Sequence, residues 1–163
     1  MKAKQIGWSD WMVFDKETVN AFLPDELGIY RLRTAGDVQF ILKRDDDGSV
    51  YWTADFNVTE ANRKKIEDSD PMLVINNKDN VFTFLVYAGS SVDGSLKKRL
   101  LSLLSSKKKT GLRNLLDVKL PLGVSYMLTT QPEHDEARFV EEYTTITKGF
   151  YPPCDCDMNL SAH

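Results

Sequence analysis

The sequence lacks several features that mark whole classes of protein. No apolar run approaches the ~20 residues of a membrane-spanning helix. The N-terminal segment mixes tryptophans with charged residues and has no apolar core typical of a signal peptide. The two cysteines, Cys154 and Cys156, have a spacing that suits neither a disulfide staple nor a four-ligand zinc site. We therefore expect a cytoplasmic protein with reduced thiols and no membrane partner.

Internal repeats and low-complexity tracts are also missing, and no shift in composition marks a domain boundary. A chain of 163 residues with 42% apolar residues is long enough to bury a core. We expect one domain over residues 1–163, in which residues 150–163 form a C-terminal tail.

Positive charge is scarce overall but concentrated in one stretch. The net charge of −3 argues against a general nucleic-acid-binding protein. Residues 97–119 contain eight basic residues and one acidic residue, so this stretch carries +7 and the remainder −10. A basic stripe on an acidic body is typical of a local phosphate-binding face. A solvated helix face followed by a lysine-rich loop would give the same pattern.

One stretch of the sequence changes from strand to turn to helix. Residues 81–87 are rich in β-branched and aromatic residues, which predicts a central, buried strand that ends at Tyr87. Ser95 is a good N-cap for the helix that follows. The leucines of that helix fall on one face, with Arg99 beside them. We therefore expect Tyr87 and Arg99 to lie close together.

The remaining pattern predicts an α+β fold, with a small mixed or antiparallel central sheet flanked by helices. Tyr30 and Leu32 would share one face of a strand, and Arg31 and Arg33 the other. Further strands are predicted over residues 28–33, 38–43, 49–56 and 123–129, and helices over residues 15–22, 59–68, 112–116 and 132–147. The second and third of these strands are joined by an Asp-Gly turn typical of a hairpin.

The last predicted helix carries two adjacent acids. Its buried stripe is predicted to run through Ala137, Val140 and either Tyr143 or Thr144. Glu141 and Glu142 would then sit at the edge of that stripe.

Four fragments in this order resemble the GIY-YIG nuclease family. The first is Pro24-Asp25-Glu26-Leu27-Gly28-Ile29-Tyr30, and the second is Tyr87-Ala88-Gly89-Ser90-Ser91. The third, Leu96-Lys97-Lys98-Arg99-Leu100, is similar to the family's arginine helix. The fourth, Glu136-Ala137-Arg138-Phe139-Val140-Glu141-Glu142-Tyr143, is similar to its glutamate helix. Each fragment lies on the predicted element that the resemblance requires.

The sequence departs from the family pattern in two places. Tyr30 and Tyr87 are much further apart than the family's two tyrosine motifs, so we interpret residues 35–80 as an insertion that contains a hairpin and a helix. The alternative is that Gly28-Ile29-Tyr30 is a chance tripeptide. Where the family often has an asparagine after the proline, this chain has Cys154-Asp155.

The resemblance implies a hydrolase, a metal-dependent endonuclease that cuts DNA. Arg99 would hold the scissile phosphate, and Tyr30 or Tyr87 would orient or deprotonate the attacking water. Glu141 or Glu142 would bind one Mg²⁺, or another divalent cation such as Mn²⁺; spacing within the motif favours the first, and spacing to the later proline the second. The residues expected to contact neighbouring phosphates are Lys97, Lys98, Lys107, Lys108, Lys109 and Arg113.

Two other functions fit the same sequence. A catalytically degenerate member of the family would keep the basic face and bind nucleic acid without cutting it. Alternatively, the chain is a protein-interaction module whose hairpin, residues 38–56, pairs with a partner. A protein partner is also one way for a small nuclease domain to acquire specificity. Trp8, Trp11 and Trp52 are expected to be core or lid anchors, because no basic residues interleave with them.

Overall fold

The computed structural model describes residues 7–67, 72–77, 80–91, 94–108, 110–155 and 158–159. Lys109 and Cys156 lie outside the described residues. The strands are β1 (Met12–Val13), β2 (Gly28–Thr34), β3 (Gln39–Arg44), β4 (Val50–Asp55), β5 (Val74–Asn77), β6 (Asn80–Thr83), β7 (Leu85–Ser90), β8 (Leu122–Leu128) and β9 (Met158–Asn159). The helices are α1 (Lys16–Phe22), α2 (Glu60–Glu67), α3 (Leu96–Ser105), α4 (Gly111–Asp117) and α5 (Pro132–Ile146), and Pro153–Asp155 form a 3₁₀ turn.

The fold is α+β, with helices packed around two sheets. The first sheet has the strand order β1-β8-β2-β7, and its pairs are antiparallel. The second has the order β5-β6-β3-β4-β9, with antiparallel pairs except for the parallel pair β4 and β9. Within the described residues, no helix combines the length and the apolar composition needed to cross a membrane.

The two sheets share a bent ribbon of two antiparallel strand pairs. β2 pairs with β7 in the first sheet, and their continuations β3 and β6 pair in the second. The backbone N–H of Thr34 donates to the carbonyl of Phe84 at 2.9 Å where the ribbon bends. The prediction of one central strand over residues 81–87 is therefore wrong. Phe84 separates β6 from β7, and the stretch is apolar on both sides because it crosses from one core cluster to the other.

Local signals in the sequence place most of the other elements. Asp15 and Ser95 cap α1 and α3, since their side chains accept from the backbone N–H of Thr18 at 2.8 Å and of Lys98 at 3.2 Å. The predicted Asp-Gly hairpin is present as β3 and β4. The predicted helices of residues 59–68, 112–116 and 132–147 are present as α2, α4 and α5.

The strand β2 presents different side chains to its two faces. Tyr30 and Leu32 are fully buried in the cluster that also contains Leu96 and Leu100 of α3. Arg31 lies on the opposite face, with its guanidinium carbon 4.3 Å from the ring centroid of Trp8. The predicted alternation along β2 is therefore confirmed. It also directs the first tyrosine of the motif toward the helix that carries Arg99.

Candidate functional site

The two motif tyrosines lie on the same face of the first sheet. In the register of β2 and β7, Tyr30 is opposite Gly89 and Leu32 is opposite Tyr87, so Tyr30 and Tyr87 are diagonal neighbours. Their ring centroids are 6.1 Å apart. A Cβ on Gly89 would collide with the hydroxyl of Tyr30, which explains why a glycine follows Ala88 in this motif.

Arg99 reaches the two phenols from α3. Gly28 lets this helix approach β2 closely, because a Cβ there would lie 2.7 Å from Cδ1 of Leu96. The first amides of the helix are bound by the lead-in segment, with the N–H of Leu96 donating to the carbonyl of Glu26 at 2.8 Å. Burial lowers the pKa of Arg99, but the neighbouring Tyr30 and Tyr87 outweigh it and leave the pKa above its ordinary value.

Two grooves meet at Tyr87, Arg99 and Asp155. We name the first the tyrosine groove; its volume is about 490 Å³. Its lining residues are Tyr87, Ala88, Gly89, Ser90, Arg99, Glu136, Val140, Tyr151 and Asp155. We name the second the lysine groove; its volume is about 290 Å³. Its lining residues are Tyr87, Arg99, Ser102, Leu103, Ser106, Lys108, Thr110, Leu112, Arg113, Cys154 and Asp155. The three shared residues, Tyr87, Arg99 and Asp155, place Arg99 at the junction of the two grooves.

Two carboxylates face the tyrosine groove, and they come from different elements. Glu136 lies on the second turn of α5, and Asp155 ends the 3₁₀ turn that follows the two prolines. Burial and, to a lesser extent, the nearby Glu136 raise the pKa of Asp155 to about 6. Asp155 is therefore mostly ionised at neutral pH, and its pKa is close enough to that pH for the carboxylate to accept a proton.

The phenols are less acidic than free tyrosine. Burial and the nearby Tyr87 raise the pKa of Tyr30 far above its ordinary value, and Arg99 offsets only part of this effect. Burial and the charge of Asp155 likewise raise the pKa of Tyr87. Tyr30 is fully buried, and its hydroxyl has no hydrogen-bond partner among the described residues. Both side chains are thus suited to donate or relay a proton rather than to hold a phenolate.

The two acids predicted to bind metal lie elsewhere. Glu141 and Glu142 are exposed and line a third groove, which we name the outer groove, together with Arg138, Thr145 and Ile146. The predicted buried stripe of α5 is confirmed at Tyr143 but wrong at its start, because Ala137 is exposed and Phe139 is buried. Each residue turns an α-helix by about 100°. Glu136 and Arg99 thus line the tyrosine groove, whereas Glu141 and Glu142 lie around the helix in the outer groove.

The predicted basic residues also separate into groups. Lys108 lines the lysine groove, and Lys107 and Lys98 are exposed. Lys97 is half-buried near the start of α3. The side chain of Arg113 is already engaged, since its Nε donates to Asp117 at 2.9 Å and its Nη1 donates to the carbonyls of Ser106 at 2.9 Å and Leu104 at 3.3 Å. Arg113 therefore ties α4 to the end of α3.

The sequence contained signals for two of the groove residues that were missed. Glu136 opens the motif fragment in which only the later glutamates were considered. Asp155 stands where the family often has an asparagine, and the structure brings it to Tyr87 and Arg99. Tyr151 had no signal, because its place depends on Trp52. The indole Nε1 of that residue donates to the carbonyl of Tyr151 at 2.9 Å.

Glu136 and Asp155 supply carboxylate oxygens to the tyrosine groove. No group of three or more His, Cys, Asp or Glu side chains that could hold a metal is found in the part of the chain that the structure describes. Two carboxylates suit Mg²⁺ or Mn²⁺, because Mg²⁺ is commonly held by one or two carboxylates and keeps water and phosphate oxygens as its other ligands.

The chain matches no protein-family model, no curated protein and no solved structure. The function must therefore be argued from the geometry and chemistry of these grooves.

Proposed function

We propose that this chain is a metal-dependent endonuclease that hydrolyses phosphodiester bonds of DNA, with a GIY-YIG-like domain. The observation that carries the proposal is the meeting of Tyr87, Arg99, Glu136 and Asp155 along one groove, with Tyr30 packed beneath. The antiparallel pairing of β2 with β7, followed by α3, supports the resemblance to that family. On this proposal, β3, β4, β5 and β6 of the second sheet and α2 occupy the insertion between the two tyrosine motifs.

The cation and the arginine would act on the scissile phosphate. Glu136 would hold Mg²⁺ or Mn²⁺ in the tyrosine groove. Bound there, the ion would polarise the phosphoryl group and shield the charge that develops on the leaving oxygen. Arg99 lies at the junction of both grooves and would bind the phosphate through its fork of N–H donors.

Tyr87 would orient the attacking water, and Asp155 would accept its proton. The hydroxyl of Tyr87 would orient the water, while the packed ring of Tyr30 keeps Tyr87 in place. As the water oxygen bonds to phosphorus and the bond from phosphorus to the leaving oxygen breaks, the water proton would pass to the carboxylate of Asp155, directly or through Tyr87. The leaving oxygen would take its proton from solvent. A base with a pKa near 6 is efficient for this role at neutral pH, whereas a buried phenol is not.

The exposed lysines would increase the affinity for DNA without selecting a base sequence. Lys108 lies in the lysine groove, where Ser102, Ser106 and Thr110 add hydroxyl groups. Contacts of this kind to the phosphate backbone carry no base information and weaken as salt displaces them. On this proposal, the other residues that contact phosphates next to the cleaved one are Lys97, Lys98, Lys107 and Lys109.

A nicking assay tests the proposal. Purified protein is incubated with supercoiled and branched DNA in the presence of Mg²⁺, of Mn²⁺ or of a chelator, and the products are separated on a gel. We expect nicking that depends on the metal and is lost in Arg99→Ala and in Glu136→Gln. Absence of metal-dependent nicking on both substrates would reject the nuclease.

The complete burial of Tyr30 favours one second candidate, a nucleic-acid-binding module that does not cut. A fully buried phenol cannot touch water or substrate directly, so one of the two motif tyrosines has lost a direct catalytic role. Salt-sensitive DNA binding without nicking in any metal would support this candidate.

A further inference from the structure

Tyr151 is an exposed aromatic residue on a fixed piece of backbone. The residue is 52% exposed and lines the tyrosine groove. Its carbonyl accepts from Nε1 of the fully buried Trp52 at 2.9 Å. Pro152 and Pro153 follow it and are both buried. Because the ring of proline fixes φ, the backbone that follows Tyr151 is also conformationally restricted.

The turn that leads into Tyr151 is closed by Thr147. Its hydroxyl donates to the carbonyl of Phe150 at 2.6 Å and accepts from the N–H of Phe150 at 3.2 Å. Single exposed apolar residues are ordinary on protein surfaces. Tyr151 differs from an exposed residue such as Phe22 because it lines a groove that also holds Arg99 and two carboxylates.

The two grooves that meet at Arg99 differ in chemistry. The lysine groove offers hydroxyl and ammonium groups, which suit phosphates. Asp155 lines both grooves, and the tyrosine groove alone adds Tyr151, Val140 and the acid Glu136. Among the described residues, the tyrosine groove has no lysine to hold a further phosphate, whereas the neutral face of a base can pack on its aromatic ring. Its volume of about 490 Å³ is in the range of small-molecule sites, so a single nucleobase fits it.

We propose that Tyr151 is a stacking platform for an unpaired nucleobase next to the phosphate that is cut. The proposal rests on the proposed function for the nature of the strand, and it narrows the substrate to DNA with an unpaired nucleotide at the cleavage point. A paired base is stacked on both sides and must first be extruded, which costs a few kcal/mol. An unpaired base at a gap, flap or branch avoids this cost.

Binding of fluorescent oligonucleotides tests the platform. The probe base is 2-aminopurine, whose emission falls when it stacks, placed either unpaired beside a junction or within an intact duplex. The protein is Glu136→Gln with Mg²⁺, so that DNA is bound without being cut. Into it are introduced Tyr151→Ala, Tyr151→Phe and, as a control with an exposed aromatic residue outside both grooves, Phe22→Ala.

We expect Tyr151→Ala to weaken binding of the unpaired probe by about tenfold or more and to abolish its quenching, because the stacking surface is lost. Tyr151→Phe and Phe22→Ala keep both properties. All variants bind the intact duplex equally. Unchanged affinity and quenching in Tyr151→Ala reject the platform, as does a loss in Tyr151→Phe equal to that in Tyr151→Ala.

The nicking assay keeps the two proposals separate. Nicking by the unmutated protein together with normal probe binding in Tyr151→Ala rejects the platform and retains the nuclease. Quenching that depends on Tyr151 without any nicking retains the platform and rejects hydrolysis.

Discussion

Helix α5 carries acids into two different grooves. Glu136 enters the tyrosine groove beside Tyr87 and Arg99, whereas Glu141 and Glu142 line the outer groove beside Arg138. All three are glutamates of one helix, and all belong to the same motif fragment. The difference between them is their angle around the helix axis, since each residue turns the chain by about 100°. Residue type and sequence order alone therefore cannot assign the catalytic acid.

Replacing the glutamates of each groove by glutamine tests most strongly which of them is catalytic. Glu136→Gln should reduce nicking by about a thousandfold, because a bound cation contributes several kcal/mol of transition-state stabilisation. The double variant Glu141→Gln/Glu142→Gln should stay within about twofold of the unmutated protein, as expected for exposed surface changes. Single-turnover nicking rates with excess enzyme measure both. Activity that survives in Glu136→Gln and is lost in the double variant would reverse the assignment.

Two arginines that line the lysine groove, Arg99 and Arg113, compare a catalytic role with a structural one. Arg99→Ala should lower the single-turnover rate by about a hundredfold, because one preorganised donor to the developing charge is lost. Arg113→Ala should instead lower the free energy of unfolding by about 1–3 kcal/mol, because its guanidinium binds Asp117 and two carbonyls. Nicking rates and urea denaturation, measured on both variants, distinguish these effects. A stability loss in Arg99→Ala equal to that in Arg113→Ala would give Arg99 a structural role instead.

The sequence predicted the parts of the fold that depend on local signals. The helix caps Asp15 and Ser95, the Asp-Gly turn and the alternation along β2 each act over a few residues, and each is confirmed. Residues 81–87 were misassigned because a strand that crosses between two cores is apolar on both faces, as a central strand is. The pairing of β5 with β6 was not predicted, because β6 was interpreted as the start of one longer strand.

The positions of site residues were predictable only where local strand and helix signals determine them. Tyr30, Tyr87 and Arg99 follow from a strand register and a helix start, and the structure brings them together. The acids depend on the exact rotation of α5 and on the path of the chain after Pro153. That path is set by contacts with β4, which lies a hundred residues earlier and pairs with β9. Such long-range contacts leave no periodic pattern in the sequence.

The acids of the two grooves should also differ in the pH dependence of nicking. The pKa of Asp155 is raised to about 6, so this carboxylate is protonated and inactive as a base at lower pH. Nicking should therefore rise with pH as Asp155 ionises, at or below about pH 6, because a cation bound to Glu136 offsets part of the repulsion that raises this pKa. Asp155→Asn should remove this rise and lower the rate above it by about a hundredfold. Rate profiles of Asp155→Asn and of Glu141→Gln/Glu142→Gln measure the difference. The same profile in Asp155→Asn and in the unmutated protein would exclude Asp155 as the base.

The back of the tyrosine groove depends on the second sheet through Trp52 of β4. Trp52→Phe removes the bond from Nε1 to the carbonyl of Tyr151 and should shift the segment that carries Asp155, lowering the nicking rate by about tenfold. Trp11→Phe, on the opposite face of the first sheet beside Arg31 and Arg33, should leave the rate near that of the unmutated protein. Rates are compared under conditions in which circular dichroism shows both variants folded. Equal effects of the two changes would mean that the second sheet does not position the site.

The smallest expected effect is on stability without metal. Because burial and Glu136 raise the pKa of Asp155, its contribution to stability is fully present below its unfolded pKa of about 4 and is lost as pH rises through about 6. Asp155→Asn should therefore stabilise the protein at about pH 8, by less than about 1 kcal/mol because the residue is partly exposed, and should have no effect near pH 4. Urea denaturation in the presence of a chelator measures Asp155→Asn and the unmutated protein at the two pH values. A destabilisation by Asp155→Asn at the higher pH would show that this carboxylate is favourably paired in the folded protein, and the proton-accepting role that its raised pKa supports would then be lost.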